Sequence, residues 1–107
     1  MIKSKIKNEL LKLGYNPLHL GTAYLSDIIY YIYISNQNNL CINLERDIYI
    51  IISNHYNKNI QTIKSDIIKA TNCANCNFEL LKKNCLLNLN YTKLTPKLVI
   101  YLVVNTL

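Results

Sequence analysis

Three sets of side chains in this sequence have types and spacings that could do chemistry. The first is thiol chemistry: Cys73-Ala74-Asn75-Cys76 is a CxxC, Cys85 follows nine residues on, and Cys41 lies upstream. With His19 or His55 these thiols could close a zinc site, which needs four ligands. A single CxxC with no second pair does not complete that set, and no βαβ pattern surrounds it as a redox motif requires. The residues therefore predict no metal and no cofactor, only free thiols packed at the edge of a core beside Ala74. The second is His19, a general acid–base candidate by residue type alone. No carboxylate or nucleophile pattern accompanies it, so a structural or surface histidine is the simpler reading. The third is the polar series Lys58, Asn59, Gln61, Thr62, Lys64, Ser65, Ile68, Lys69 and Asn72. Gln can read the adenine edge, an Ile methyl can meet a thymine methyl, and Lys neutralises phosphate.

The third series depends on two predicted helices that place it on one face. In the first, Leu44, Ile48, Ile51, Ile52 and Tyr56 fall at the spacing of a core-facing stripe, with Asn43 as N-cap. In the second, Ile60, Ile63, Ile67, Ala70 and Ala74 form the inner stripe, and Gln61, Lys64, Ser65, Ile68 and Asn72 the outer one. Thr62 and Lys69 flank that outer face. Asn57-Lys58-Asn59 joins the two, Asn57 suiting a left-handed backbone and Asn59 an N-cap. The pattern fits a helix-turn-helix, and equally an ordinary helical hairpin of a bundle.

The bulk numbers narrow the classes. A chain of 107 residues predicts one domain with one core. Half the residues are apolar and 17% are charged, which argues against a disordered chain. A net charge of +6 and a pI near 9.2 favour a polyanionic partner. Crowding with Asn, Ile, Lys and Tyr, whose codons are AT-rich, accounts for part of that lysine excess. Arg46 is the single arginine, few for a protein that reads bases directly. With two glycines, six acidic residues, no phosphate-cradling loop and no paired carboxylates, the chain is not expected to be an enzyme. The apolar runs at 28–34, 48–52 and 98–104 are far short of the about twenty residues a membrane span requires. No signal peptide is legible at the N-terminus. The expectation is a cytoplasmic protein with no membrane partner.

In chain order, Ile2, Ile6, Leu10 and Leu13 make a stripe with Lys3, Lys5, Lys7 and Lys12 outside, and Gly14 is the expected C-cap. Asn16 to Gly21 forms a compact turn punctuated by Pro17. Thr22 is the predicted cap of the next helix, which runs to about Ser35. Its inner face is Leu25, Ile28, Ile29 and Ile32, with Tyr24, Tyr30, Tyr31 and Tyr33 wrapping the remainder, so it belongs at the centre of the core. IIYYIYI also reads as a strand on residue preference. After the polar loop SNQNN comes the helix pair. Beyond it, Phe78, Leu81, Cys85 and Leu86 suggest a short helix of their own. Thr95-Pro96 then starts a last helix whose apolar face is Leu98, Val99, Leu102 and Val103.

The segment Ile48-Tyr49, Ile52, Tyr56-Asn57, Ile63, Ile67 and Ala70 resembles the helix-turn-helix of the C-terminal, DNA-binding effector domain of the stage-zero sporulation response regulator of spore-forming bacteria. The likeness extends upstream through Leu11, Leu13-Gly14, Pro17, Gly21 and Tyr24-Leu25, and downstream through Lys93, Thr95, Ile100, Val103 and Leu107. It implies an all-α domain of about six helices that binds double-stranded DNA and regulates transcription, with no receiver domain in this length. It further implies contact with RNA polymerase and a homodimer through the C-terminal helix. At positions where that family carries two arginines and an acid on its reading helix, this chain has Ser65, Ile68 and Lys64. Near the polymerase-contacting region, Leu87 and Asn88 replace an aromatic and a glycine. The resemblance thus keeps the scaffold and rewrites the reading face. The expected function is a stand-alone DNA-binding transcription regulator; the alternative is an interaction module or antagonist of a full-length regulator.

Overall fold

Apolar residues recurring every three or four positions make helices here because each stripe finds a neighbour to cover it. A computed structural model describes residues 2–37, 47–85 and 94–107, and for residues 37 and 77–85 the backbone alone. It contains α1 (Ile2–Lys12), α2 (Leu20–Gln37), α3 (Tyr49–Tyr56), α4 (Ile60–Cys85) and α5 (Pro96–Thr106), and among the described residues no strand. The run IIYYIYI is helical, which resolves the ambiguity left by residue preference. Among the described residues no helix is long and apolar enough to cross a membrane.

Helix α1 buries Ile6 and Leu10 and keeps Lys3, Lys5, Lys7 and Lys12 exposed. It ends where Gly14 takes φ 100°, a left-handed conformation that costs a residue without Cβ little. The following turn is held by the Asn16 side chain, whose Oδ1 accepts from the Leu18 amide at 2.9 Å.

Helix α2 is the hub, packing most extensively on α4 and also touching α1, α3 and α5. Tyr24, Leu25, Ile28 and Ile29 are fully enclosed, while Tyr30, Tyr31, Ile32 and Tyr33 are half-buried. Its start departs from expectation. The helix begins at Leu20, so Thr22 lies inside it and caps nothing; the Thr22 and Ala23 amides already donate to the His19 carbonyl.

Helix α3 corrects a phase. Ile48 and Ile52 are buried and Tyr56 is half-buried as predicted, but Tyr49 is also buried, whereas Ile51 is exposed. The helix enters through Ile48 with no side-chain cap. The expected contributions of Asn43, Leu44, Cys41 and the loop to residue 46, Arg46 included, lie outside the described residues, as do those of Leu86, Leu87, Asn88 and Lys93.

Where the sequence predicts a separate short helix around Phe78 and Leu81, α4 instead runs unbroken to Cys85. Asn75, inside that helix, ties it to the next element. Its side-chain amide donates to the Leu94 carbonyl at 3.0 Å and accepts from the Leu94 amide at 2.6 Å, pinning the approach to α5 against α4. Helix α5 starts as predicted, with Pro96 in the first turn and the Thr95 hydroxyl accepting from the Leu98 amide at 3.2 Å. Its core side is Val99, Ile100 and Val103, with Leu98 and Leu102 half-buried.

Candidate nucleic-acid interface

The turn between α3 and α4 is built from short polar side chains. Asn57 adopts φ 55° and ψ 45°, which Asn tolerates better than most residues. The Asn57 and Lys58 amides both donate to the Ser53 carbonyl, and the Ser53 hydroxyl donates to the Lys58 carbonyl. Asn59 then caps α4, its Oδ1 accepting from the Thr62 amide at 2.8 Å. Its side-chain oxygen is therefore engaged within the protein, while Lys58 is exposed beside it.

The packing that fixes α4 sets which edge faces out. Ile63, Ile67, Ala70 and Ala74 are buried as predicted, and Ile60 is half-buried. Gly21 of α2 comes so close that a Cβ there would lie 2.1 Å from the Asp66 carbonyl oxygen and 2.9 Å from the Ala70 Cβ. Two further ties hold neighbouring elements. Tyr15 and Thr71, both buried, share a hydrogen bond of 2.7 Å. The Tyr56 hydroxyl donates to Asp27 Oδ2, and the Tyr56 ring meets Tyr24 edge-on at 4.7 Å between centroids. None of Asn75, Tyr15, Thr71 or Asp27 stands out in the sequence, because each acts through a partner distant in the chain.

The opposite edge of α4 is at the surface. Gln61, Thr62, Ser65, Ile68, Lys69 and Asn72 are exposed, and Ile68 keeps 53% of its surface. Lys64 is half-buried, its Nζ 5.1 Å from the centroid of the Tyr49 ring. All nine residues of the predicted series thus lie at the surface, from the turn along one side of one rod.

Two grooves flank the rod. Tyr49, Lys64, Ile67, Ile68, Thr95, Pro96 and Lys97 line one, bringing Lys97 of α5 beside the exposed edge of α4. Nothing in the local sequence marks Lys97 as a neighbour, since that depends on how α5 folds back. Leu18, His19, Leu20, Gly21, Asp66, Lys69, Ala70 and Cys73 line the other. Here Leu18 is 88% and Leu20 60% exposed, an apolar lip beside Lys69.

Charge at this surface comes from lysine, with Asp66 beside Lys69 in the second groove. Burial pushes the Tyr15 phenol up to about 12, against the opposing pull of its hydrogen bond to Thr71. Burial, then the nearby Asp66 charge, raises Tyr24; burial, then the hydrogen bond to the Asp27 carboxylate, raises Tyr56. These phenols stay neutral across the physiological range.

The thiols need a correction. Cys73 and Cys76 are free but exposed, not packed at a core edge; Ala74 between them takes the inward position. Among the described residues no group of three or more His, Cys, Asp or Glu is placed to hold a metal ion. The Cys41 and Cys85 side chains lie outside those residues. Comparison with protein-family models, with curated proteins and with solved structures finds no match to this chain.

Proposed function

We propose that the chain is a DNA-binding transcription regulator. In this reading α3 and α4 act as a helix-turn-helix of the response-regulator effector type, the exposed edge of α4 enters the major groove, and its role is related to sporulation control. One observation carries the reading: the edge bearing Gln61, Ser65, Ile68, Lys69 and Asn72 is exposed, while the other side of the same helix is locked into the core. A helix so held presents side chains at fixed positions, as base readout requires. Gln61 is suited to an adenine edge and Ile68 to a thymine methyl, which together favour AT-rich sites. Lys64 and Lys97 on one flank, Lys69 on the other and the exposed Lys58 in the turn are suited to neutralising phosphates. Contact with RNA polymerase belongs to the same proposal. A homodimer through α5 would have to use Tyr101, 65% exposed, because Val99, Ile100 and Val103 face the core.

The apolar lip of Leu18 and Leu20 favours a second reading: a module that pairs with another protein and has given up sequence-specific DNA binding. Binding of labelled duplexes selected from a random pool, measured against salt, decides between them. A regulator should prefer its selected duplex over random DNA by about a thousandfold or more. Weak binding that salt erases equally for every duplex would overturn the DNA-reading proposal in favour of the second.

A further inference from the structure

Thr22 is the polar group the fold leaves unexplained. It is 6% exposed, and its hydroxyl, shut off from solvent, has no hydrogen-bond partner. Buried hydroxyls are nearly always paired, because leaving one unpaired forfeits its hydration. In a helix, threonine usually solves this by bonding back to the carbonyl a turn earlier; Thr22 does not.

Thr22 also lines a recess of about 110 Å³ between α1, the α1–α2 turn and α2. The buried Thr22 and Ser26 lie at its floor, Ala23 is half-buried, and the exposed Lys7, Leu11 and Pro17 stand at its mouth. That volume greatly exceeds the roughly 10–15 Å³ one water needs, yet much of the wall is apolar, so a group of waters would find too few of the two to four polar partners each requires. An apolar hole of about 150 Å³ takes a six-atom ring such as benzene, so this recess suits a ligand of about four to six heavy atoms.

We infer that this recess binds a short-chain monocarboxylate of about three to five carbons. On binding, the Thr22 side chain turns about χ1 so that its hydroxyl, unpartnered within the protein, donates to the carboxylate, and Lys7, which also lines the recess, supplies the opposite charge. The alkyl chain lies along Leu11, Pro17 and Ala23. The site is independent of the proposed DNA-reading edge, and its occupant bridges α1 and α2. So few atoms hold it with a dissociation constant on the order of millimolar.

Sodium butyrate titrated into the full chain, against sodium chloride at matched ionic strength, tests the site by amide chemical shifts. Saturable shifts centred on Lys7, Thr22, Ala23 and Ser26 are expected. Thr22→Val, nearly isosteric and lacking the unpaired hydroxyl, should keep the fold and weaken butyrate by about tenfold or more. Lys7→Gln, at an exposed position, should weaken butyrate and leave 1-butanol unchanged. Three results would each overturn the proposal: no saturable shifts in the parent protein, equal butyrate binding by Thr22→Val, or 1-butanol bound as tightly as butyrate.

Discussion

Gly21 of α2 and Asp66 of α4 meet backbone to backbone, with no room between them for a methyl group. Replacing Gly21 by Ala pits two effects against each other. Ala is favoured in a helix interior by about 1 kcal/mol. Forcing a Cβ to 2.1 Å from a carbonyl oxygen requires one helix to move, and overpacking of that kind costs about 1–3 kcal/mol or more. Sterics should win: Gly21→Ala is expected to lose about 2 kcal/mol net, lowering Tm by roughly 8 °C or more in a thermal melt. A melt unchanged from the parent would show that the two helices are not in this contact.

The cap of α4 gives a smaller effect. Asn59→Ala removes the acceptor for the Thr62 amide and should destabilise by about 1 kcal/mol in denaturant titration. Asn57→Gly, by contrast, keeps the left-handed turn accessible and should leave stability within about 0.5 kcal/mol. Equal losses from the two would mean that the turn, not the cap, carries the energy.

Alkaline stability should follow the buried phenols. Burial holds the Tyr15 phenol near 12 in the folded chain, against an ordinary value of 10.0 once unfolded. The folded protein therefore keeps its proton longer than the unfolded chain does. This contribution is whole below about pH 10 and lost as pH rises through about 12, at about 1.4 kcal/mol per pH unit within that window. Tyr56 adds in the same direction. Tyr15→Phe should flatten the alkaline limb of a stability–pH curve. At neutral pH it should cost about 1–2 kcal/mol, because it leaves the Thr71 hydroxyl buried without its partner.

Much of this architecture is legible in the chain, because local rules and tertiary packing agree there. Ile63, Ile67, Ala70 and Ala74 recur at helical spacing and are buried; Gly14, Asn57, Asn59 and Thr95 each take the backbone role their side chains suit. The failures fall where a distant contact overrides a local signal. Gly21 reads as a stop but sits inside α2, since only a glycine admits the α4 backbone there. Phe78, Leu81, Cys85 and Leu86 read as a short helix of their own, yet α4 runs on to Cys85, with Asn75 within it bonded to Leu94. Tyr49 replaces Ile51 on the inner side of α3, a phase that so short a helix leaves to its neighbours. The surface series from Lys58 to Asn72 was placed by periodicity, whereas the adjacency of Lys97 and of the Leu18–Leu20 lip came only from the fold.

On the proposed reading edge, single substitutions should separate grip from recognition. Lys69→Ala should weaken binding to all duplexes alike and reduce the slope of log affinity against log salt by about one. Gln61→Ala should relax preference at one base position, at about 1–3 kcal/mol for the preferred base, and leave the salt slope unchanged. A Lys69→Ala protein with the parent's affinity for every sequence would remove that lysine from any phosphate contact.

Helix α4 spans 26 residues, about 39 Å of stiff rod, from the Asn59 cap past the Asn75 clamp. Gly21 bears on it partway along, like a fulcrum under a beam. With Ile63, Ile67, Ala70 and Ala74 seated in the core along the same side, the distance from cap to clamp is set by the helix itself and not by any loop.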